Sequence, residues 1–163
     1  MGIWKTLRSA LARLSFVKGL SLGARGEREA ARLLRASGYT IFGTNLRFGG
    51  NAGGNGAWGE IDILALDPDG KTVVVVEVKS RRRVGGGTGK SARVAPEASV
   101  TAAKRRKLLR LMDAVVRANG WESRPKRIDV VAVEFVQAEG GVGGSDNDQV
   151  HAKHFVDAVR HSR

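Results

Sequence analysis

Three ionisable side chains stand where apolar ones would be expected. Asp62 lies within WGEIDILAL (58–66), and Glu77 and Lys79 close the run KTVVVVEVK (71–79). Four consecutive valines describe a strand buried on both faces, and a charge entering such a strand is costly unless it is paired or holds a metal. Asp and Glu supply hard oxygen ligands suited to Mg²⁺ or Mn²⁺, and the Val78 carbonyl can add a third. An ammonium group beside them, Lys79, can orient or help deprotonate an attacking water and stabilise negative charge on phosphorus. The competing reading is a buried salt bridge, Glu77–Lys79 or Asp62–Lys79. Such pairs bring little net stability, so stability alone gives no reason for them.

Geometry brings these groups together. The segment Asp67-Pro68-Asp69-Gly70 has the composition of a turn, which makes 58–79 a hairpin. With a four-residue loop at 67–70, Leu66 pairs with Lys71 and Asp62 stands opposite Val75. Alternation then puts Glu60, Asp62, Leu64 and Leu66 on one face with Val73, Val75, Glu77 and Lys79. Glu77 is diagonal to Asp62, within reach of it.

Other elements must hold that hairpin. ARGEREAARLLRAS (24–37) is helical, with Gly38 just past its end. Tyr39–Leu46 is a strand, 49–57 a glycine-rich loop, and 80–95 a basic loop containing SRRR and GGGTGK. A helix follows over about 97–119, between Pro96 and Gly120, and then the strand RIDVVAVEF (127–135). Residues 3–20 read as an amphipathic basic helix, packed on the domain or anchoring a membrane or partner. The chain divides into this extension (1–22), an α/β domain (23–137) and a glycine-rich tail (138–163) whose last element has no clear type. Helix, three strands, helix, strand implies a mixed sheet flanked by helices.

Composition limits the function. In 163 residues, 28 Lys and Arg against 16 Asp and Glu leave a net charge of +12, which favours nucleic acid or an anionic membrane surface. The absence of cysteine excludes disulfides, zinc-thiolate sites and cysteine nucleophiles, and suits the cytoplasm. No stretch is apolar for long enough to span a membrane. Lys5, Arg8, Arg13 and Lys18 interrupt the N-terminus too often for a signal peptide.

Asp62 followed by Glu77-Val78-Lys79 resembles the signature of the PD-(D/E)xK nucleases. The wording is closer still to the YraN family of predicted endonucleases, which are similar to archaeal Holliday-junction resolvases. The matching pieces are GARGEREAARLLRASGY (23–39), Asn45 and Arg47, Gly59–Asp62, Glu77–Arg81, Val100 with Lys104, and 127–133. The resemblance implies a restriction-endonuclease-like α/β fold and Mg²⁺-dependent cleavage of branched or structured DNA. It carries over Asp62, Glu77 and Lys79 as catalytic residues and adds Glu27. Glu27 shares a helical face with Ala30, Ala31 and Leu34, although a glutamate in a first helical turn is also favoured by the helix dipole. A homodimer is implied too, because resolvase-like enzymes cut two strands symmetrically.

Arg47, Arg81, Arg82, Arg83, Lys90 and Lys104 are the candidate phosphate contacts, set against the ordinary alternatives of a solvated loop or a snorkelling lysine. Asp129 reads as one side of a structural ion pair, and His151 and His154 as ordinary. The leading expectation is a DNA endonuclease. Its rivals are a non-catalytic DNA-binding protein keeping the nuclease fold, and a membrane-surface adaptor.

Overall fold

The structure, a computed structural model, describes residues 20–48, 59–84, 100–137 and 148–159. The helix expected at 3–20 therefore lies outside the described residues except at its last position, and Lys90 lies outside entirely. Among the described residues there are two helices and five strands: α1 (Leu22–Ala36), β1 (Thr40–Phe48), β2 (Gly59–Leu66), β3 (Val73–Val84), α2 (Ala102–Asn119), β4 (Lys126–Gln137) and β5 (Gln149–Phe155). The strands form one mixed sheet in the order β1-β2-β3-β4-β5. Only the β3–β4 pair is parallel, and α2 is its crossover.

Both helices begin and end where their sequences provide caps. The Ser21 hydroxyl accepts the Ala24 N–H, and the Thr101 hydroxyl accepts the Lys104 N–H. Gly38 (φ 85°) and Gly120 (φ 67°) take the left-handed conformation at the exits. The Thr101 cap starts α2 five residues later than Pro96 suggested.

The valine run is apolar throughout because each face of it meets a different helix. Ala30, Ala31 and Leu34 of α1 pack on Ile63, Val74, Val76, Val131, Val133 and Phe135. Leu108, Leu111, Met112 and Val115 of α2 pack on Ile61, Leu64, Val73, Val75 and Ile128. The expected α/β class, a mixed sheet flanked by helices, is what the chain adopts.

Three features differ from the expectation. The hairpin register is shifted by two: Leu66 pairs with Val73, not Lys71. The cause is Asp69, whose Oδ1 accepts the N–H groups of Lys71 (2.7 Å) and Thr72 (2.8 Å) while Oδ2 accepts the Thr72 hydroxyl (2.6 Å). Those bonds keep 71–72 in the loop. Secondly, SRRR belongs to β3 rather than to a loop, because β4 pairs with β3 from Val73↔Lys126 to Val84↔Gln137. Thirdly, the unassigned last element is a strand, β5, added antiparallel to β4.

Candidate active site

The β2–β3 ladder stops at Ile63↔Val76, and the next residues of both strands carry the site. On β3, strict alternation sends Glu77 and Lys79 towards α2, and Val78 and Ser80 towards α1. On β2 the alternation breaks. Gly59 faces α2, since a Cβ there would meet the Leu111 side chain, and Ile61 and Leu64 both join the α2 core although they are three residues apart. Asp62 sits in that break, so the single shared face expected for Glu60, Asp62, Leu64 and Leu66 does not exist. Its Oδ2 instead accepts the Val78 N–H at 2.8 Å, taking the place of a strand carbonyl beyond the end of the ladder. The opposing strand is irregular at the same level. The β1–β2 pairing passes from Thr44↔Ile63 to Leu46↔Ile61, and the intervening Asn45 is left-handed at φ 53°.

Asp62, Glu77 and Lys79 do converge, and a fourth group joins them. Glu77 is almost wholly buried; its Oε1 lies 2.9 Å from Lys79 Nζ, and its Oε2 lies 2.9 Å from Lys104 Nζ of α2. Both lysine side chains remain partly exposed, 39% for Lys79 and 33% for Lys104. The Lys104 contact is close enough for an ion pair but lies off hydrogen-bonding geometry, so Glu77 Oε2 has no aligned donor. Glu27, across the sheet on α1, accepts a hydrogen bond from the Asn45 amide. The close approach of α1 to β3 at Gly26 allows this placement: a Cβ on Gly26 would lie 1.6 Å from Ser80 Oγ.

The acids act on one another. Burial, with the neighbouring Glu77 charge and a smaller push from Glu27, raises the Asp62 carboxyl to about 6 against the opposing Val78 N–H and Lys104. Burial also raises Glu27, against the lowering effect of Asn45, and Glu60 adds to the rise. Carboxylates crowded against each other, one with an oxygen lacking an aligned donor, form a donor set that a hard divalent cation fits. Among the described residues, however, no three His, Cys, Asp or Glu side chains are already gathered into a cage. The Glu77 position is instead held by two lysines.

The remaining candidates separate. Arg47 is exposed and lies 3.4 Å from Glu60. Arg82 reaches towards Asp148 (3.9 Å) and Arg83 towards Glu134 (3.8 Å), so the basic run on β3 is partly neutralised by acids. Asp129 makes the structural ion pair expected of it, with Arg127. His154, read as ordinary, is its second partner at 2.8 Å. Sequence reasoning placed Lys104 on a phosphate but missed its contact with Glu77. It also left Asn45 without a role, although a lone Asn between β-formers is a residue that tolerates left-handed backbone.

A mixed sheet whose parting strands gather acids and lysines between two helices defines the class, an α/β protein consistent with a restriction-endonuclease-like fold. The chain belongs to the uncharacterised protein family UPF0102, whose model matches residues 26–133. It is 43% identical to a UPF0102 protein of Symbiobacterium thermophilum over 113 residues, covering 69% of this chain and 81% of that one. A UPF0102 protein of Renibacterium salmoninarum is 38% identical over 120 residues (74% and 87%), and one of Dehalococcoides mccartyi 35% over 117 residues (72% and 83%). The matched region contains the whole acid–lysine cluster. No described helix is long and apolar enough to cross a membrane.

Proposed function

We propose that this chain is a cytoplasmic, metal-dependent endodeoxyribonuclease acting on branched or structured DNA, working as a homodimer where two strands are cut. The observation that carries this reading is Asp62 beside Glu77, with Lys79 and Lys104 against them, at the point where β2 and β3 part. Asp62, Glu77 and the Val78 carbonyl would hold Mg²⁺ or Mn²⁺. When bound, such an ion supplies positive charge at the scissile phosphate and acidifies water. Lys79 orients the attacking water and balances charge that develops on phosphorus. Lys104 neutralises Glu77 and presents an ammonium group to the phosphate. Glu27, fixed by Asn45, holds a proton or a water at the edge of the site. The exposed Arg47 and the Arg81–Arg83 run steady the backbone without reading sequence.

The test is cleavage of four-way, flapped and single-stranded DNA in Mg²⁺, Mn²⁺ or EDTA. Asp62→Ala is expected to lower the rate by at least about 100-fold, in line with losing a main electrostatic contributor to catalysis. No cleavage of any substrate together with no divalent-ion binding would end the catalytic reading. A second reading has its own support in the two lysines that already occupy Glu77. In it the chain binds structured DNA without turnover, and Asp62→Ala leaves a salt-dependent affinity intact.

A further inference from the structure

Glu77 Oε2 is buried without an aligned donor, and the group set against it is the Lys104 ammonium, 2.9 Å away. We propose that Lys104 is a built-in stand-in cation: it covers the Glu77 oxygen that a divalent ion would take, and it gives that oxygen up when a DNA phosphate draws the ammonium away. Ion and DNA then bind cooperatively, because each favours the Lys104 position that admits the other. The proposal deepens the nuclease reading above and rests on it.

Distance and charge make the two occupants exclusive. A Mg²⁺ ion must come to about 2.1 Å from a carboxylate oxygen. Oε2 has no surface open to such an approach while Lys104 lies against it. With both acids ionised, Asp62 and Glu77 are balanced by Lys79 and Lys104. An ion added with both lysines in place would leave two uncompensated positive charges in a largely buried pocket, which is costly. With Lys104 moved onto a phosphate, that anion takes up part of the excess.

Lys104, rather than Lys79, is the group that yields. Lys79 stands on the other oxygen, Oε1, and comes from the same strand two residues away. Lys104 comes from a different element, α2, and its contact with Oε2 lies off hydrogen-bonding geometry, so less is lost when it leaves. Its charge also acts on Asp62, which puts the ammonium by both of the acids that would hold the ion. A unit charge thus stands where a divalent one would go.

The exchange needs only a side-chain motion. The Thr101 hydroxyl accepts the Lys104 N–H at 3.2 Å, which fixes the Lys104 backbone in the first turn of α2. A flexible four-carbon stem carries the ammonium, and a third of the side chain is exposed, so solvent-facing rotamers are open to it. A cation in a first helical turn opposes the helix dipole, whereas a phosphate there is favoured. The two acids hold Lys104 inward, and an anion arriving at the start of α2 pulls it outward.

The test uses the full-length protein and two binding measurements, neither of which depends on cleavage. Mn²⁺ affinity without DNA is read from the electron paramagnetic resonance signal of the free ion. Lys104→Met, which keeps the stem and drops the charge, is expected to bind Mn²⁺ about tenfold more tightly than the unaltered protein, within the usual range of coupling between sites. Lys79→Met removes an equal charge from the same carboxylate without uncovering Oε2, and should gain clearly less. The second measurement is the fluorescence anisotropy of labelled four-way DNA, in EDTA and in saturating Ca²⁺, with the DNA checked on a gel to be intact. Ca²⁺ should tighten DNA binding about tenfold in the unaltered protein and in Lys79→Met, but only about twofold in Lys104→Met. Should Lys104→Met fail to fold, Lys104→Gln takes its place in both comparisons. Equal or weaker Mn²⁺ binding by the Lys104 variant, an equal gain in Lys79→Met, or an unchanged Ca²⁺ effect on DNA would each overturn the proposal and leave the metal site standing. Absence of Mn²⁺ binding by all three proteins would overturn the nuclease reading with it.

Discussion

Two clusters of buried charge lie in the same sheet, with Asp129 opposite Val76 and Glu77 one residue farther along β3, and they are built to different standards. Near the hairpin turn, Asp129 is completely buried and fully satisfied. Oδ1 accepts from Arg127 Nε (2.9 Å) and from the Asp157 N–H (2.9 Å), and Oδ2 lies 2.8 Å from His154 Nε2. Arg127 goes on to the Tyr39 hydroxyl and Asp67, and Tyr39 meets the His154 ring edge-on. The charge of Asp129 adds to what holds Arg127 protonated, and the Asp67 carboxyl is lowered overall despite burial, by the Asp69 N–H and by Arg127. In the other cluster, Asp62 is raised to about 6 and Glu77 keeps an oxygen without an aligned donor. One cluster joins β1, β4, β5 and the turn, and it has no spare valence. The other has acceptors to spare and partners that reach solvent. A saturated buried network holds a fold together, whereas an unsaturated one can take a ligand.

Breaking the saturated cluster should have the largest effect. Asp129→Ala removes the acceptor shared by Arg127, His154 and the Asp157 N–H, and is expected to cost about 3–5 kcal/mol in a urea melt, because the partners stay buried. A loss under 1 kcal/mol would show that the cluster is not the stronger of the two.

Gly26→Ala sharpens the contrast from the side of α1. A Cβ 1.6 Å from Ser80 Oγ must push the helix off β3, so a destabilisation of about 1–3 kcal/mol is expected. Glu27 should move with the helix, which would make the proposed nuclease activity fall by more than the lost stability explains. Unchanged stability and activity would mean that α1 has slack at this contact.

The smallest effect has the opposite sign. The folded Asp62 carboxyl lies near 6 against 3.8 unfolded, so between these pH values the folded chain holds the extra proton. This group therefore lowers stability as pH rises through that window, the reverse of a salt-bridged carboxylate. Asp62→Asn is expected to stabilise the protein at pH 7.5 by about 1 kcal/mol and to remove that slope, as read from thermal melts across pH 4–8. Mn²⁺ titrated into the unaltered protein should bind more tightly as pH rises from about 5 to 7, because proton and cation compete for the same oxygens. A pH-independent affinity would separate Asp62 from the ion.

Much of this arrangement was legible before any coordinates. The exits at Gly38 and Gly120 are local chemistry, and the valine run ending in Glu-Val-Lys announces a central strand with a charged end; the Ser21 and Thr101 caps, equally local, were not read from the sequence. The two-residue register slip was not legible, because it depends on Asp69 choosing the Thr72 N–H and hydroxyl over solvent. The extension of β3 through Arg81–Arg83 and the existence of β5 were equally hidden. Each depends on a distant partner, β4, supplying backbone hydrogen bonds to segments whose own residues favour loops.

The order of elements, the charge balance and the types of residue able to hold a cation were determined by the sequence itself, since they depend on neighbours a few positions apart. Only the tertiary structure decided that Lys104 meets Glu77, that Asp62 occupies a break in β2, and that Asp148 is buried beside Arg25. Those contacts join residues 27, 16 and 123 positions apart in the chain, a separation across which no periodicity carries information.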